Sequence, residues 1–106
     1  MASELDALWE RHQQEALPAV PVAIKGELWV LDEVIGGCIA HYLEGDLGLD
    51  AGRTAILHDC GADLDRLLPG LEGPAVDYFQ RLRILAELVL RARAVERTLP
   101  ERGDNQ

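Results

Sequence analysis

The stretch from Pro74 to about Arg97 is the longest patterned segment of the chain, and it carries two apolar stripes at helical spacing. One is Tyr78, Phe79, Leu82, Leu85, Ala86 and Val89. The other, well round the same helix, is Ile84, Leu88 and Val95. A helix on the surface of a single domain needs one apolar stripe facing the core. A helix with two must be covered from two sides, by its own bundle or by a second chain. The feature therefore demands helical neighbours and points to association rather than to chemistry.

Three further helices are expected. Ser3 caps the first, with Asp6 completing a weak capping box. Leu5, Leu8, Trp9, His12 and Ala16 share a face, so this helix runs to about Ala16, where Pro18 and Pro21 stop it. Asp32 suits the N-cap of a second helix over Glu33–Leu43, with stripe Leu31, Val34, Ile35, Cys38, Ile39 and Tyr42; Gly45 and Gly48 end it. Asp50 caps a third, Ala51–Leu68, with stripe Ile56, Leu57, Cys60, Leu64, Leu67 and Leu68, closed by Pro69-Gly70. Gly73-Pro74 opens the last helix. Leu17–Val30 is apolar but broken by two prolines and Gly26. It reads as an extended segment laid across the bundle, since a lone hairpin turned at Lys25-Gly26 is marginal. The fold class is all-α: a four-helix, bundle-like single domain over residues 1–99, with a long irregular connection between helices 1 and 2. Residues 100–106 are expected to form a disordered polar tail.

Charge limits the partners. The net charge of −9 opposes phosphate and anionic-membrane contacts, so neither nucleic acid nor a membrane is expected. No apolar run approaches the ~20 residues of a membrane span. The acidic N-terminus lacks an apolar leader core, and a cytoplasmic setting with reduced cysteines is expected. Nine arginines against the single Lys25 suit a GC-rich bacterial coding bias. Residues 26–50 carry six acids and no basic residue, whereas the last helix is rich in arginine. The two faces are solvated, or they meet within the fold or across a dimer.

Catalytic constellations are missing from the pattern. Cys38 and Cys60 lie mid-helix on apolar stripes and read as core thiols. Cys38-x-x-His41 puts two ligand types on one helix face, but the second pair, His58 and Cys60, diverges by about 200° round a helix, so no metal site is expected. Ser3 is the only serine, which leaves no serine triad. Asp59, Asp63 and Asp65 occur without a Glu-x-x-His, and the acidic turn Glu44–Asp50 does not match a calcium loop. No cofactor motif appears. His12 reads as a packing residue and His58 as an exposed one. The anomaly is Gly36-Gly37 inside a helix, where each glycine costs up to ~1 kcal/mol relative to Ala. With Ala40 they form a small, smooth face fit for close approach.

The expected function is non-enzymatic: a small acidic helical protein acting by association, as a regulatory or accessory subunit or an antitoxin- or immunity-type binder. The expected partner is a second copy, as a homodimer, or another protein. The expected interface residues are Ile84, Leu88, Val95, Gly36, Ala40 and Trp29. The alternative is a small-molecule binder or enzyme with a pocket between the helices and Leu17–Val30, lined by Cys38, His41, Tyr42 and Trp29.

Overall fold

The computed structural model describes residues 3–45 and 49–98. Gly48, the residues after Thr98 and the expected tail lie outside them. The chain is all-α, and its described residues form four helices: α1 (Glu4–Gln13), α2 (Val22–Glu44), α3 (Ala51–Leu67) and α4 (Pro74–Thr98). A single 3-10 turn, Leu68–Gly70, follows α3 where Pro69 removes an amide donor.

Helix ends follow from local chemistry. Ser3 Oγ accepts the Asp6 amide at 3.1 Å while the Asp6 carboxylate accepts the Ser3 amide, so the capping box forms with Asp in place of Glu. The Asp50 carboxylate accepts the Arg53 amide at 2.7 Å and pairs with its guanidinium at 2.6 Å. That backbone bond, before the side chain's own, holds the Asp50 pKa below the ordinary value. Gly73 adopts φ +60°, which favours glycine, and delivers Pro74 to the first position of α4.

Two expected boundaries are corrected. Helix α1 ends at Gln13, three residues short of Ala16. The larger correction concerns Leu17–Val30. The irregular connection is only residues 14–21, because Val22–Val30 are the first turns of α2. Pro21 stands at the N-cap, where its missing donor costs nothing, and Gly26 is absorbed mid-helix. Leu28 and Leu31 extend the Ile35, Cys38 and Ile39 stripe backwards at spacings of three and four, and all five are buried. Burial of that stripe outweighs the weak propensity of the segment. Asp32 is consequently an interior residue of α2 and not its cap.

The core is one cluster formed by all four helices, centred on Phe79, Leu82, Leu85 and Val89 of α4 against Leu28, Ile35 and Ile39 of α2 and Leu57 and Leu64 of α3. The expected first stripe of α4 is buried throughout. Ile56 departs from the expected α3 stripe: it is half-exposed, one position off the buried line of Leu57, Gly61 and Leu64. Pairing sets the directions. Glu27–Arg66 at 2.7 Å and the Cys38 thiol facing the Arg53 carbonyl at 4.0 Å make α2 and α3 antiparallel. Asp65–Arg83 at 2.8 Å and Arg93 donating to the Leu49 carbonyl at 2.8 Å do the same for α3 and α4. Among the described residues, Arg81 of α4 pairs with Glu15 of the connection after α1, Arg83 with Asp65 of α3 and Arg91 with Glu87 of α4 itself, none of them with an acid of residues 26–50.

Candidate functional site

Two surfaces stand out. The first is the outward face of α4. Ile84 is 49% and Val95 56% exposed, while Leu88 is half-buried and packs on the core. Ile84 also borders a groove of about 370 Å³ with Arg11 of α1 and Asp77 and Gln80 of α4. The segment expected to lie extended across the bundle is instead the start of α2, which sends Leu28 and Leu31 into the core and leaves Val22, Trp29 and Val30 exposed. Lys25 Nζ sits 4.7 Å from the centre of the Trp29 ring, a cation–π contact on that surface.

The second is a polar cluster between α1, α2 and α4. His12 is only 4% exposed. Its ring lies 4.3 Å from that of Tyr78 and 6.1 Å from that of Trp9. Arg81 Nε donates to His12 Nδ1 at 3.2 Å, and the same guanidinium pairs with Glu15. Tyr78 donates its hydroxyl to Asp32 Oδ1 at 2.9 Å. Burial, then that bond, raise the phenol pKa well above its ordinary value. His12 Nε2 lies 3.7 Å from the same Asp32 oxygen, too far for a hydrogen bond, and is buried without a partner.

Beside the cluster runs a groove of about 360 Å³ whose walls include Trp9, His12, Asp32 and Tyr78 and whose floor includes Gly36 and Gly37. The double glycine has its structural place here. A Cβ on Gly36 would stand 3.5 Å from Trp9 Cη2, whereas one on Gly37 would meet nothing within 4 Å. The small face is therefore approached by α1 at Gly36 and open at Gly37.

The remaining expected residues scatter. Ala40 is half-buried and His41 and His58 are exposed. Cys38 is buried, Tyr42 partly so, and both cysteines are free thiols. Burial raises both thiol pKa values; for Cys60 the neighbouring Cys38 and then Asp63 and Asp59 add to it. Trp29 and Tyr42, thirteen residues apart on one helix, are separated by about 20 Å along its axis, so the alternative lining set does not converge on one point. Among the described residues no three His, Cys, Asp or Glu side chains group as a metal site, and no helix is long and apolar enough to cross a membrane. The sequence marks His12 as a packing residue, which its burial bears out, but gives no sign of Asp32, Arg81 and Glu15 as its companions.

Compared with protein-family models, curated proteins and solved structures, the chain matches none.

Proposed function

We propose that the protein is a non-enzymatic association module that pairs with a second copy of itself through the outward face of α4. The carrying observation is Ile84, a large aliphatic side chain half-exposed near the middle of the longest helix and flanked by the half-buried Leu88. The charges around it favour self-pairing. Asp77 and Arg91 lie seven residues before and after Ile84, on the same helical stripe. Two α4 helices crossing antiparallel about a two-fold axis at Ile84 therefore oppose Asp77 of one copy to Arg91 of the other, twice. A two-fold interface has this self-complementary form. Among the described residues Asp77 has no ion-pair partner, and Arg91 is bound only by Glu87 one turn earlier.

Light scattering tests the reading. The wild type is expected to be a dimer and Ile84→Glu a folded monomer. Asp77→Arg sets arginine against Arg91 and weakens the dimer; adding Arg91→Asp restores it. A monomeric wild type, or a double variant no tighter than the single, overturns the reading.

A further inference from the structure

His12 has a fixed proton arrangement. Arginine only donates, so the Arg81 Nε contact at 3.2 Å requires a lone pair on His12 Nδ1. The ring hydrogen is therefore on Nε2, and Nε2 is a donor with no lone pair for a metal. That donor is buried and unmatched, a costly state for a polar group. Its nearest acceptor, Asp32 Oδ1, is 3.7 Å away and already receives the Tyr78 hydroxyl.

We propose that the groove beside His12 binds a neutral polyhydroxy ring of sugar or cyclitol type. A hydroxyl is the group that both accepts and donates. Its oxygen accepts from His12 Nε2–H and its hydrogen goes to the Asp32 carboxylate. An ammonium offers no acceptor to Nε2–H, and a carboxylate or phosphate would face Asp32 and Glu33 on the groove wall. The 3.7 Å between Nε2 and Asp32 Oδ1, on a side chain 23% exposed, is a separation that one bridging hydroxyl can span. The remainder of the groove suits a ring. Trp9 and Tyr78 line it, and Gly37 leaves open space on the α2 side, with nothing within 4 Å of where a Cβ would stand. A volume of about 360 Å³ lies at the small end of ligand sites. The site is independent of the α4 face, so each stands or falls alone.

The test is NMR titration of the intact protein with myo-inositol and D-glucose, with D-glucose 6-phosphate and putrescine as contrasting probes. The long-range proton–nitrogen spectrum first establishes the His12 tautomer. Saturable shifts of the His12 Nε2 resonance and the Gly37 amide are expected with at least one neutral probe and not with the phosphate. Gly37→Leu, which fills open space on a helix, should abolish them while keeping the wild-type circular dichroism. No saturable shift with either neutral probe, an Nδ1–H tautomer, binding by putrescine alone, or shifts undiminished in Gly37→Leu would each overturn the proposal.

Discussion

Tyr78 is buried and gives its hydroxyl hydrogen to a carboxylate, so the folded state holds it in the neutral form. Its pKa is raised by burial first and by Asp32 second. A group whose pKa is higher folded than unfolded contributes stability that is complete below the unfolded value. That stability is lost as pH rises from there toward the folded value. For Tyr78 the loss begins near pH ~10; for Cys38 and Cys60, raised chiefly by burial, it begins near pH ~8.5. The urea midpoint, followed by circular dichroism, should therefore fall steadily on the alkaline side. Tyr78→Phe should cost about 1 kcal/mol at neutral pH through the lost hydrogen bond and flatten the fall above pH ~10. An equal alkaline slope in the variant would assign the loss to other groups. At this scale the sequence was half legible. A histidine on the apolar face of α1 marks burial, but its partners come from α1, α2 and α4, up to 69 positions away. No local spacing joins Glu15, Asp32 and Arg81. Asp32 was misread because an acid before an apolar run is the usual sign of a cap, and here a tyrosine 46 residues away uses it.

Helix α2 shows the same conflict at the scale of an element. The stripes of α3 and α4 were readable because their periodic runs lie between clear stops. Two prolines and Gly26 gave the start of α2 the look of a loop, although Leu28 and Leu31 keep register with Ile35 and Ile39. Long-range burial of those leucines decided the matter, and burial is what single-segment propensity omits. Gly37 tests how much weakness the helix still carries. It is exposed, and a methyl group there meets nothing within 4 Å. Gly37→Ala should thus stabilise the protein by about 0.5–1 kcal/mol, the difference in helix propensity. Urea denaturation of the two proteins under identical conditions measures it. A loss of stability instead would mean that the open floor is needed for the native packing of α1. A gain would mean that the helix is weaker with glycine at the open floor of the His12 groove than it needs to be.

In the molecule as a whole, the helices are not equally committed to the core. Helix α4 contributes Ala75, Tyr78, Phe79, Leu82, Leu85, Ala86 and Val89 to the buried set, whereas α1 contributes Leu5 and His12, with Leu8 and Trp9 half-buried. Ten residues make too short a helix to persist in water alone. What keeps α1 docked is therefore Leu5, the Trp9 contact at Gly36 and the Arg81 link to His12 and Glu15, the last an ion pair on a half-exposed acid. Elements with few buried apolar contacts open at lower free energy than the global transition. The amides of α1 should accordingly exchange with solvent well ahead of those in the middle of α2, α3 and α4. In a Trp29→Phe protein, Trp9 is the only tryptophan left, so its fluorescence reports α1 directly. That signal should change at lower urea than the circular dichroism at 222 nm, which is dominated by the three longer helices. Weakening the cap by Ser3→Ala, worth about 1 kcal/mol, should widen the gap between the two transitions. If the two transitions coincide, and α1 amides exchange only with global unfolding, then the polar cluster locks α1 as firmly as an apolar interface would. That outcome would make His12, Arg81 and Asp32 principal determinants of stability despite the unmatched donor among them.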